Sequence, residues 1–191
     1  MNKGFTLIEI IVSVGIFAIV MTVALGALLS INVANQRAQA VRIVIDNVNF
    51  ALDSMAREMR LGSNYHCGTD ITPGAEISFS TANCSGAGLT GIAFVSSQQT
   101  QIQYRLGSAA TSPCPTGAIC VSEGESGFSA LTSPEVAATG LSFVVTGTGS
   151  DDKQPQVILS VSGTASVESS KVPADFKIQT TVTQRRVEIN E

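Results

Sequence analysis

The sequence has no tryptophan, a single histidine and no Cys-x-x-Cys pair, and from Ile10 to Ile31 it has no charged residue. Each absence removes a class of function. With His66 alone, lodged between Tyr65 and Cys67 near a predicted helix end, no Ser, His and acid set can be assigned, and His66 reads as a surface or loop residue. One histidine and no close cysteine pair leave zinc without a ligand set, so no metal is expected from them. Lys and Arg number 11 against 15 Asp and Glu, for a net charge of −4, so the chain lacks the basic field that supports bulk nucleic-acid binding. Aromatic residues make up only 5%, while Ser, Thr and Gly abound from Gly62 onward, the texture of a secreted, loop-rich β domain.

What is present begins with that charge-free run. At ~1.5 Å rise per residue it is long enough, as a helix, to cross a hydrocarbon layer of ~30 Å. Directly before it stands one carboxylate, Glu9. An acid carried to the bilayer centre costs roughly 2.5–3.5 kcal/mol, so this one needs a partner or a task. An ordinary secretory signal would use Lys3 as its positive region and Ala24-Leu25-Gly26 as a cleavage site. Its apolar core, however, runs to only ~7–15 residues, and it carries no acid at its start. A plain signal anchor explains the length and leaves Glu9 and the Gly4-Phe5 step unexplained.

Lys3-Gly4 followed by Phe5-Thr6-Leu7-Ile8-Glu9 and an uninterrupted apolar helix resembles the class III signal of type IV prepilins and pseudopilins. The resemblance implies that a membrane aspartyl protease, the prepilin peptidase, cuts after Gly4 on the cytoplasmic side and methylates the new N-terminus at Phe5. It also implies that Glu9 is the family's assembly acid, and that the partners are other pilins or pseudopilins, an inner-membrane assembly platform and, before assembly, the lipid bilayer. The chemistry can be argued independently. In one helix Glu9 lies a turn from Phe5 on the same face, and in a bundle a staggered neighbour brings its own amine beside this carboxylate. At an effective dielectric near 20 a pair ~4 Å apart gains roughly 4 kcal/mol, comparable to the insertion penalty. Glu9 thus becomes tolerable mainly in assembly. Gly15, Ala18, Thr22, Gly26 and Ser30 add a small-residue stripe that admits a close helix neighbour. Major pilins often have a proline in this region and this chain has none, though Gly26 is a point where the helix can loosen.

Beyond Ile31 the pattern turns amphipathic. Val41, Val44, Ile45, Val48, Leu52, Met55 and Met59 recur at helical spacing, with Arg42, Asp46, Asn49, Asp53, Arg57 and Arg60 on other faces. Asp53 and Arg57 stand at i,i+4, and Gly62 reads as a C-cap. A helix from Phe5 to Leu61 spans about 85 Å by rise. Its end, Arg57-Glu58-Met59-Arg60-Leu61, is of the kind usually found solvated, and it is similar to the R-x-x-R helix end of J-type minor pseudopilins and W-type minor pilins.

From Gly62 the expected strands are Glu76 to Ser80, Ile92 to Ser96, Gln99 to Leu106, Ile119 to Ser122, Leu141 to Thr146, Gln156 to Ser162 and Asp175 to Arg185. Ile102, Tyr104 and Leu106 alternate with Gln101, Gln103 and Arg105, a period of two with one wet face. Short strands joined by tight loops favour antiparallel pairing, and the sheet is expected to cover the Val41 to Met59 stripe. The last strand resembles the ending of J/W-type subunits through Gln179-Thr180-Thr181-Val182 and Arg185. Four cysteines on the translocated side read as two disulfides with three possible pairings; Cys67 with Cys84 and Cys114 with Cys120 close the shortest local loops. Asp151-Asp152 is the one candidate calcium site, by resemblance to the head loop of G-type major pseudopilins, but two carboxylates fall short of the ligand list calcium needs, so no cofactor is expected. Arg185-Arg186, the one adjacent basic pair, reads as a salt-bridged strand end rather than a DNA contact.

The expectation is therefore an α+β, pilin-like chain. Residues 1–4 form a leader, 5–31 a transmembrane or filament-core helix, 32–62 an amphipathic helix packed on the head, and 63–191 a β-rich extracytoplasmic head. Its function is that of a minor subunit of a type IV pilus or type II secretion-like filament, not an enzyme. A major pilin, or an adhesin or DNA-uptake pilin, is the alternative. Its place is a single-pass inner membrane with the head outside the cytoplasm, then a cell-surface or periplasmic filament.

Overall fold

A computed structural model describes residues 4–68, 84, 89–108, 114–148, 154–165 and 174–185, and every structural statement below concerns these. One helix, α1 (Leu7–Leu61), precedes eight strands. These are β1 (Ser63–Gly68), β2 (Gly91–Val95), β3 (Gln101–Leu106), β4 (Ile119–Glu123), β5 (Ser129–Ala130), β6 (Val136–Thr146), β7 (Gln156–Ala165) and β8 (Ala174–Thr183). The pairing is antiparallel throughout, in a five-stranded sheet ordered β1 to β5 and a three-stranded sheet ordered β6 to β8. The expected α+β layout is the one observed. The expected strand Glu76 to Ser80 lies outside the described residues.

α1 runs for 55 residues, about 80 Å, without a break at Gly26. Its buried residues begin only at Ala40 and continue through Val44, Val48, Ala51, Leu52, Met55 and Met59. The core face is thus rotated slightly from the expected stripe: Ala40 and Ala51 lie on it, whereas Val41 and Ile45 are exposed. Small side chains let strands approach the helix, so alanines hold positions that a reading by hydrophobicity assigns to larger residues. Both sheets share the core, which gathers Tyr65, Ile92, Phe94, Ile102 and Tyr104 from the first and Leu141, Phe143, Val157, Leu159 and Val182 from the second.

The face of β3 expected to be wet is not. Gln103 is fully buried with its amide unpartnered, and Arg105 is half-buried with its guanidinium 3.7 Å over the Phe128 ring. On that side Cys114, Ala118, Cys120 and Phe128 form a second small core, because the chain on either side of β4 folds back over the sheet. β6 also begins earlier than expected, at Val136. A bulge between Ala138 and Gly140 shifts the inward positions from Val136 and Ala138 to Leu141, Phe143 and Val145, which hides the alternation from a strict period of two.

Two disulfides tie these layers. Cys67 of β1 bonds Cys84, whose backbone N–H and C=O both pair with Val145 of β6 at 2.9 Å, so this link joins the edges of the two sheets. Cys114 bonds Cys120 inside the second core.

Candidate processing and assembly site

The N-terminal site is built from a cap. Thr6 has extended backbone and its Oγ1 accepts the Glu9 N–H at 3.4 Å, while its carbonyl accepts from Ile10. Thr6-Leu7-Ile8-Glu9 is a capping-box sequence, a signal in the chain that puts the N-cap at Thr6 and the helix start two residues after Phe5. Phe5 therefore precedes the helix, 79% exposed, rather than standing a helical turn from Glu9 as expected. Glu9 is in the first turn, exposed, at the positive end of the helix dipole. Gly4 also is exposed, with open space where a side chain would stand. Lys3 lies outside the described residues.

Behind this cap the helix surface from Leu7 to Ile31 touches nothing. Residues such as Phe17, Leu25 and Leu29 are more than half exposed, and nothing lies within 4 Å of where side chains on Gly15 and Gly26 would project. Two hydroxyls inside this stretch are satisfied internally: Ser13 donates to the Glu9 carbonyl at 2.7 Å and Thr22 to the Ala18 carbonyl at 2.8 Å. A hydroxyl bonded back to its own helix adds little cost in lipid or in a helix bundle. The helix is long and apolar enough to cross a membrane.

The other end of α1 is anchored in a different way. Gly62 ends the helix with φ −76° and ψ 161°, so it is not a left-handed cap; a Cβ there would lie 2.5 Å from Phe94 Cδ2, and close packing is what requires glycine. The last carbonyls are taken by three distant donors. The Tyr65 hydroxyl donates to Met59 and, at 3.1 Å, to Gly62; the Arg185 N–H donates to Arg60 at 2.8 Å; Gln184 Nε2 donates to Gly62 at 2.8 Å. Tyr65 and Gln184 escaped the sequence reading, because Ser63–Gly68 carries no β-branched residue to announce a strand and because Gln184 meets the helix only in three dimensions. His66, read as a surface or loop residue, sits exposed on β1.

Beside this anchor an open cleft of about 360 Å³ is lined by Asp53, Ala56, Arg57, Arg60 and Leu61 of α1 and by Arg185. The i,i+4 pair of Asp53 and Arg57 does not close: among the described residues no guanidinium of Arg57, Arg60 or Arg185 lies within 4.0 Å of a carboxylate, while the expected salt bridge of the Arg185-Arg186 strand end falls in part on Arg186, outside the described residues. Within the core, burial first, and then the charges of Glu58 and Glu123, push the Tyr104 phenol well above its ordinary value. Asp151, Asp152 and Arg186 lie outside the described residues.

Residues 1–25 match the family model described as the prokaryotic N-terminal methylation motif. No curated protein and no solved structure matches the chain. The motif marks the chain as type IV prepilin-like at its N-terminus, and the helix-and-sheet layout is pilin-like.

Proposed function

We propose that the chain is a structural subunit of a type IV pilus or type II secretion-like filament. The observation that carries this reading is the methylation motif placed on a helix whose first half is apolar and uncovered while its second half is built into a head. Cleavage after Gly4 by a prepilin peptidase removes the leader and leaves an amine on Phe5, which is methylated. The subunit is then stored in the inner membrane by its apolar half. Withdrawal from the bilayer exchanges lipid around Leu7 to Ile31 for neighbouring helices, and Glu9 accepts a neighbour's N-terminal amine at the positive end of its own helix. The head stays outside the cytoplasm, in keeping with its two disulfides.

Mass spectrometry of the mature chain tests the first step: the expected N-terminus is N-methylated Phe5, and a chain still carrying Met1 to Gly4 counts against the proposal. Glu9→Ala tests the second. It is expected to leave cleavage and methylation intact and to remove the protein from sheared filaments.

The finer position, a J/W-type minor subunit, is supported by the R-x-x-R helix end and by the Gln179-Thr180-Thr181-Val182 ending. A second reading, a repeated subunit standing next to its own copies, is favoured by opposite charges on the two flanks of the head. Abundance in sheared filaments separates them.

A further inference from the structure

The arginine cleft has a physical peculiarity. Arginines in the last turn of a helix ordinarily spend their donors on the free carbonyls there. In this protein three of those end carbonyls, of Met59, Arg60 and Gly62, are already bonded to the Tyr65 hydroxyl, the Arg185 N–H and the Gln184 side chain. Three arginines, Arg57, Arg60 and Arg185, line one open space, with Asp53 as the lone carboxylate lining it. The cleft thus holds a formal surplus of two positive charges with planar donor forks that suit carboxylates.

The opposite flank of the same head is acidic. Glu58 follows Arg57 on the helix but projects about 200° around the axis from Arg60. Glu123 ends β4 and pairs with Ile102, and the exposed turn continues through Gly124, at φ +60°, to Glu125. The registers Ser63 with Val95, Val95 with Gln101 and Ile102 with Glu123 put this turn at the end of the five-stranded sheet where α1 finishes. β1 adjoins the helix end, and β4 lies three strands away, about 14 Å at the usual spacing. Acid and base therefore stand at one level on different flanks.

We propose that the cleft lined by Arg57, Arg60 and Arg185 docks the Glu123-Gly124-Glu125 turn of a second copy of this chain. The two carboxylates, two residues apart, match the surplus of two cations. Because the mating patches differ and lie on separate flanks, each copy keeps one patch free after pairing, so the contact propagates as an open array, as a helical filament requires. A protein carboxylate fits better than a phosphate chain: the cleft includes Asp53, and the chain's net charge of −4 opposes a polyanion. The inference rests on the second reading above, a filament subunit repeated beside its own copies, and adds the head contact that the N-terminal helix cannot specify.

Two full-length versions, Leu61→Cys at the rim of the cleft and Ser126→Cys beside the turn, are expressed together and treated in intact cells with a short bis-maleimide. A covalent dimer is expected from the mixture and not from either version alone. Adding Arg57→Glu and Arg185→Glu to the first version is expected to cut its yield at least tenfold, and Glu123→Arg with Glu125→Arg in the second to restore it. Phe5 methylation and sheared-filament yield are measured on the same cells. Methylated filaments with no dimer, a dimer indifferent to the charge changes, or a loss that the swapped partner does not restore each overturn the docking contact and leave the filament reading standing. An unmethylated chain absent from filaments overturns the filament reading instead, and a charge-dependent dimer in those cells keeps the contact. Retention of duplex DNA by the purified full chain, lost with Arg57→Glu and Arg185→Glu, assigns the cleft to phosphate and overturns the proposal.

Discussion

The two halves of α1 obey different rules within one unbroken helix. From Leu7 to Ile31 every side chain is exposed and almost all are apolar, and the few hydroxyls that donate do so to their own backbone. From Ala40 to Met59 the residues are mixed, and one narrow face is buried to completion under two sheets. The first half is written for an environment the chain itself does not supply. The second is written for its own head. Helical propensity is common to both, so what separates them is where the apolar side chains find a cover: all round in the first, on one stripe in the second.

That contrast can be broken most sharply by a matched pair of truncations. Phe143→Ala, at a fully buried position of the head, is expected to lower head stability by about 3–5 kcal/mol, whereas Leu25→Ala is expected to leave it unchanged. Thermal unfolding of the detergent-extracted chain, followed by strand circular dichroism, reads both. Next in size is the staple between the sheets. Replacing Cys67 and Cys84 together by serine is expected to cost about 2–4 kcal/mol in the same melt, since the bond joins β1 to the partner of β6.

The anchor at the end of the helix sharpens the comparison further. Gln184→Ala removes a buried donor from the Gly62 carbonyl and is expected to cost about 1–3 kcal/mol, read as faster hydrogen exchange over the last turn of α1. Smallest is the other end. Thr6→Ala deletes the cap on Glu9 and is expected to cost about 1 kcal/mol, as fraying of the first turn, with the head melt unmoved. A shift of the head melt by Thr6→Ala would show that the two halves are coupled, against the division drawn above.

Much of this was legible in one dimension. The charge-free run, Glu9 at its border and the Lys3-Gly4-Phe5 step are patterns of neighbouring residues, and the amphipathic half announces itself by its period. Sheet positions were legible where aromatic and β-branched residues alternate, as in Phe176, Ile178, Thr180 and Val182 of β8. They were not where tertiary contact overrides local preference. β1 forms from Ser-Asn-Tyr-His-Cys-Gly because it pairs with β2 and because Tyr65 fills the core 5.7 Å from Phe94. β3 turned out to have two buried faces because a later segment covers the polar one.

By itself the sequence determined the helix and its division, since hydrophobic length, a lone carboxylate and the Lys3-Gly4-Phe5 pattern depend on residues within a few turns of one another. Only the tertiary structure decided how the helix ends. Gln184 reaches Gly62 across 122 residues and the neighbouring Arg185 bonds Arg60, which occupies two of the end carbonyls, and Arg57, Arg60 and Arg185 come to line one cleft. Periodicity along the chain cannot report such a meeting, because a hydrogen bond between distant segments depends on where both sheets come to rest.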